Sequence, residues 1–123
     1  MPTLQEQISV IVGRTGSNLG AMAGALRERM YEANAAGKYE KAKAADALYQ
    51  DYTYEAMRLG RLQISAIDQS TEMKAALTAI KTVNKELADE KKRVANLKNT
   101  IDKAVKLIGK VGKAIDKVSK LIS

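Results

Sequence analysis

The chain has no histidine, cysteine, tryptophan or phenylalanine, and a single proline, among its 123 residues. Histidine is the usual general base and metal ligand near neutral pH, and cysteine the usual thiol nucleophile and soft ligand. Their absence excludes the common zinc sites and any histidine-based triad. Ser–Lys or carboxylate chemistry survives on composition, but the carboxylates are scattered and no serine sits in a nucleophile-elbow turn. The expectation is a protein that is not an enzyme, with no cofactor, no metal and no small-molecule substrate. The missing cysteine fits any compartment where disulfides are not needed and does not choose between them.

A net charge of +7 ordinarily raises nucleic acid or an anionic membrane as partners, so its distribution matters. Residues 1–76 carry nine basic and nine acidic groups, whereas residues 77–123 carry twelve and five. The whole excess therefore belongs to the C-terminal part.

Thr3-Leu4-Gln5-Glu6 reads as a capping box, with the Thr3 hydroxyl accepting from the Glu6 N–H. A helix starting there argues against a cleaved signal peptide, which needs a positive region and an uninterrupted apolar one. The longest uncharged stretch near the start, Thr15 to Leu26, has twelve residues, and a membrane span needs about 20. The expected location is cytoplasmic, or outside the cell by a route without a signal peptide.

Leu4, Ile8, Ile11, Thr15, Leu19, Met22, Leu26, Met30 and Ala33 step by 4, 3, 4, 4, 3, 4, 4 and 3, an eleven-residue repeat that predicts a nearly straight helix over 3–35. Gly37 is the expected left-handed residue after its end, in a turn at 36–38. From residue 39 a seven-residue frame takes over. One series runs Ala45, Tyr52, Leu59, Ala66, Met73, Ile80, Leu87, Val94, Ile101, Ile108, Ile115 and Ile122. Its companion runs Leu48, Leu62, Ala76, Val83, Leu97, Ala104, Val111 and Val118, interrupted by Glu55, Gln69 and Glu90. A period of 3.5 implies a left-handed coiled coil.

The predicted class is therefore all-α. A helical hairpin is expected, whose second helix covers 39–122 and is about 125 Å long if unbroken. Breaks are possible at Asp68-Gln69-Ser70, where Ser70 can cap a new helix, and at Gly109 and Gly112, since an interior glycine costs about 1 kcal/mol. A three-helix bundle broken near Ser70 is the alternative. In the hairpin reading, about 50 residues of the second helix find no partner in the first.

Three features stand out as candidates for function. Gly13, Gly16, Gly20 and Gly24 form one stripe on the first helix, displaced from its apolar face. Such a stripe permits close approach of another helix from the same chain, from a second copy, or within a membrane. Lys103, Lys106, Lys110, Lys113, Lys117 and Lys120 repeat at 3, 4, 3, 4 and 3, opposite an apolar stripe of Ile101, Ile108, Val111, Ile115, Val118 and Ile122 widened by Val105, Leu107 and Leu121. That basic amphipathic segment, 101–123, suits burial among several helices or a membrane interface. Its lysines are a solvated outer face, a contact for a polyanion or anionic lipid, or the lining of a polar channel; without arginine forks or stacking aromatics there, the pattern argues against nucleic acid. Tyr31, Tyr39, Tyr49, Tyr52 and Tyr54 gather around the bend, to pack the turn or to form a protein contact.

The Gly/Ala-rich run Gly16-Ser17-Asn18-Leu19-Gly20 through Gly24-Ala25-Leu26, followed by a second helix carrying Gln69-Ser70-Thr71-Glu72-Met73-Lys74, resembles subunits of type III secretion filaments: needle proteins, Hrp pilins and translocator-sheath proteins. The resemblance covers about residues 10–85. It implies a small helical hairpin, exported without a cleaved signal, that polymerises around a channel toward which the lysine stripe faces. Two departures stand against it: the turn at Ala36-Gly37-Lys38 lacks the needle prolines, and residues 86–123 exceed a needle subunit. The function expected from the sequence is thus a structural subunit assembling with itself through the glycines and the apolar stripe at 101–122. A membrane-surface protein and a soluble coiled-coil adaptor are the alternatives.

Overall fold

The computed structural model describes residues 3–62, 70–95 and 101–122, and these form four helices: α1 Leu4–Ala35, α2 Tyr39–Gly60, α3 Thr71–Ala95 and α4 Asp102–Ile122. The chain is all-helical, with no strand among the described residues.

Several helix ends have a local cause. At the start of α1 the Thr3 hydroxyl accepts the Glu6 N–H at 3.1 Å. Its far end is a Schellman turn: Lys38 N–H bonds to the Ala33 carbonyl at 2.8 Å, Gly37 N–H bonds to Asn34 at 3.1 Å, and Gly37 sits at φ +76°. Gly37 is where glycine is required, because a side chain is strained at that φ.

The expected helix over 39–122 is in fact three helices. α2 stops at Gly60, where Arg61 N–H turns back to the carbonyls of Met57 and Arg58. Ser70 caps α3, its hydroxyl accepting from Met73 N–H at 3.1 Å and its carbonyl from Lys74 N–H. α4 begins after Ile101, whose carbonyl accepts from Val105 N–H. A helix does start after Ser70, as in the alternative, but the described residues form four helices where that alternative had three. Gly109 and Gly112, the other candidate breaks, are carried inside α4 without interruption. Ala66, Asp68, Gln69 and Leu97 lie outside the described residues.

α1 packs against α2 and α3, and α4 against α3 and α2, so the helices stand in a ring α1–α2–α4–α3. Arg27 lying over the Tyr49 ring makes α1 and α2 antiparallel, whereas the pairs Tyr52–Ala104 and Arg58–Asp116 show α2 and α4 running the same way. The core repeats the sequence series. Leu4, Ile8, Leu19, Met22 and Leu26 are buried from α1, with Tyr52 and Leu59 from α2, Met73, Ile80 and Leu87 from α3, and Val111, Ile115 and Val118 from α4. Each large aliphatic side chain removed from water contributes about 1.5–3 kcal/mol. Thr15, the polar member of the α1 series, is fully buried and donates its hydroxyl to the Ile11 carbonyl at 2.6 Å.

Candidate assembly surface

The glycine stripe points away from this core. Gly13, Gly20 and Gly24 are exposed and Gly16 is half-buried. A Cβ built at any of the four meets no atom within 4 Å. Close packing inside the chain, one of the three readings the sequence left open, is therefore not what these glycines do. With each interior glycine costing about 1 kcal/mol against alanine, the stripe costs α1 about 3–4 kcal/mol of helix stability, and no neighbour within the chain excludes a side chain there.

The apolar stripe of α4 has the opposite fate. Val111, Ile115 and Val118 are buried in the core, and Ile101, Ile108 and Ile122 are half-buried against it. Because α2, α3 and α4 are separate helices packed on one another, the seam that lacks a partner in a long hairpin finds one within the chain. This part of the expected assembly interface is internal. Of the three residues expected to widen it, Leu107 is buried while Val105 and Leu121 remain exposed.

All six lysines of α4 are exposed, on the side away from the buried stripe. Lys103, Lys106 and Lys110 also border an open groove of about 380 Å³ between α3 and α4, facing Glu86, Asp89 and Glu90. Lys110 Nζ reaches Glu86 Oε1 at 3.2 Å, and Arg93 stands 3.7 Å from the buried Glu90 carboxylate. Three carboxylates thus offset most of the positive charge of the groove, while Lys113, Lys117 and Lys120 lie beyond it. No group of three or more acidic side chains is placed to hold a metal among the described residues. None of the helices in those residues is long and apolar enough to cross a membrane.

The tyrosines divide. Tyr39 is 70% exposed and does not pack the turn. Tyr31 and Tyr49 flank Arg27, whose guanidinium lies 5.5 and 5.8 Å from the two ring centroids and whose Nε donates to Tyr31 Oη at 2.9 Å. That hydrogen bond, with the two rings, holds the Arg27 pKa above its ordinary value. Tyr52 is fully buried and donates its hydroxyl to the Ala104 carbonyl at 2.7 Å, pinning α2 to α4. Burial first, then the charges of Glu90 and Asp51, pushes its phenol well above the usual range.

Two interruptions of the heptad series, Glu55 and Glu90, are buried carboxylates, a role the sequence reading did not assign them. Glu55 lies beside Gly112 of α4, 3.8 Å from where a Cβ would stand, and Arg58 reaches both Glu55, at 3.4 Å, and Asp116. Burial pushes the Glu55 carboxyl up; Arg58 opposes the shift, and Asp116 and Asp51 add to it. On the α1–α3 side, Asn18 donates to Asn84 and accepts from Lys91, both at 2.8 Å. These groups join helices to one another within the bundle. Comparison of the chain with protein-family models, with curated proteins and with solved structures finds no match in any of the three.

Proposed function

We propose that this chain is a non-enzymatic structural subunit that associates with copies of itself through the outer face of α1. The observation that carries this reading is the glycine stripe: four residues that weaken a 32-residue helix although a side chain at any of them would meet no other part of the chain within 4 Å. Their value lies in letting another helix approach closely, where backbone contacts replace missing side chains. A buried heptad core in α2, α3 and α4 supports coiled-coil-like packing inside each subunit, so association falls to the outer surfaces. The resemblance to type III secretion filament subunits extends the proposal to a helical polymer. Its Gly/Ala-rich segment lies on α1, with three of its glycines facing outward or half-outward.

Light scattering across a concentration series, with negative-stain microscopy of the same samples, tests the reading. Concentration-dependent association is the expected result, and a monomer at every concentration in physiological salt would sink it. A membrane-surface role is the second reading, because Val105 is 53% exposed on the same helix as six exposed lysines. Salt-sensitive flotation with anionic vesicles supports it, and its absence removes it.

A further inference from the structure

The outer stripe of α1 extends beyond its glycines. At helical spacing it runs Glu6, Ser9, Gly13, Gly16, Ser17, Gly20, Gly24 and Arg27, all of them exposed except Gly16, which is half-buried. The order is self-complementary. Pairing residues whose numbers add to 33 sets Glu6 against Arg27, Ser9 against Gly24, Gly13 against Gly20 and Gly16 against Ser17. The stripe thus carries opposite charges at its two ends and small residues throughout the middle.

Resting on the reading that copies associate through α1, we propose that the partner is a second α1 laid antiparallel across a two-fold axis between Gly16 and Ser17. Charge complementarity chooses this arrangement. An antiparallel pair brings Glu6 of each copy to Arg27 of the other, twice, whereas a parallel pair sets Glu6 against Glu6 and Arg27 against Arg27. Each charged end stands about 16 Å from the centre, so a shallow crossing of about 20° keeps the ends in reach while the glycines bring the axes together. Arg27 stands at the α2 side of the stripe, where Tyr31 and Tyr49 hold its guanidinium. A single pair of helix faces is smaller than the ~800 Å² per partner of a standard stable interface, so the dimer is weak and concentration-dependent. Because a two-fold contact closes on itself, it produces a dimer; a filament needs a further contact elsewhere.

Sedimentation velocity on the full chain tests this with Glu6→Arg, Arg27→Glu and the double variant. Both positions are exposed, and circular dichroism checks that each variant folds. Each single reversal is expected to weaken dimerisation about tenfold, with the double variant recovering most of it. Since the chain has no cysteine, introduced ones report geometry without background. Ser17→Cys is expected to oxidise to a linked dimer, because the two copies of residue 17 meet beside the axis. Ser9→Cys is expected to stay unlinked, its two copies lying about 22 Å apart along the helices, beyond disulfide reach. Association that ignores the charge reversals, without linkage at Ser17→Cys, overturns this pairing and leaves self-assembly standing. A chain that stays monomeric overturns both.

Discussion

Replacing Tyr52 with phenylalanine tests how α2 is held to α4. The ring stays in the core, and what is lost is the hydroxyl donating to the Ala104 carbonyl at 2.7 Å in a fully buried site. That carbonyl lies inside α4 and has a second lone pair for its own helix, so the substitution leaves no unsatisfied acceptor of full cost. The net value of such a bond is about 1 kcal/mol. For a chain of 123 residues the unfolding entropy is about 0.26 kcal/mol/K, so Tm is expected to fall by about 4 °C. Calorimetry supplies Tm, and ultraviolet absorbance of the phenolate supplies the titration. The Tyr52 phenol has its folded pKa raised above the unfolded value near 10, so its contribution is complete below pH 10 and is lost as pH rises through the folded value. The Tyr52→Phe deficit should therefore be constant from pH 6 to pH 9 and shrink above about 10. A variant as stable as the parent, or five tyrosines that all titrate near 10, would refute the buried pin.

Glu55→Gln should raise Tm at pH 7, with the gain shrinking toward pH 4. Burial has raised the folded pKa of Glu55 above its unfolded value, so the protonated form is the one the fold favours, and stability is lost as the carboxyl ionises opposite Asp116 and Asp51 despite Arg58; thermal melts at several pH values that show a gain growing toward acid would contradict this. Ser70→Ala should cost about 1 kcal/mol in denaturant unfolding by removing the cap on Met73 N–H, and no loss would mean the hydroxyl is not what starts α3. Gly109→Ala should stabilise by about 0.5–1 kcal/mol, since its Cβ meets open space in a helix interior; a lower Tm would show an unseen contact there. Gly20→Ala should likewise raise Tm in dilute solution while weakening self-association, a split that an ordinary surface position would not give.

Much of the fold is legible because helical periodicity is local. The buried face of α1 is the series Leu4, Ile8, Ile11, Thr15, Leu19, Met22 and Leu26, and Gly37 supplies the left-handed turn. The heptad positions that fall in α2, α3 and α4 are buried or half-buried. Less legible is where the frame is cut. The seven-residue register runs unbroken past Gly60 and past Asn96, Asn99 and Thr100, so the pattern of buried residues looks the same for one long helix as for three. Gly60 does not mark the cut by itself, since it is not at positive φ and Gly109 and Gly112 sit inside α4 without breaking it. The buried carboxylates were visible only as gaps in a series, because what stands beside each, Gly112 and Arg58 at Glu55 and Arg93 at Glu90, is settled by packing.

Taken alone, the sequence determined the all-α class, the inner face of each helix, the caps at Thr3 and Gly37, and the concentration of positive charge in the last third. These are properties of residue type and spacing along one chain. Only the tertiary structure decided that α4 turns its apolar stripe inward against α2 and α3 while α1 leaves its glycines outside the core. Both stripes look equally unpartnered in one dimension. Which of them is covered depends on where the chain folds back, and that is settled by the contacts between helices.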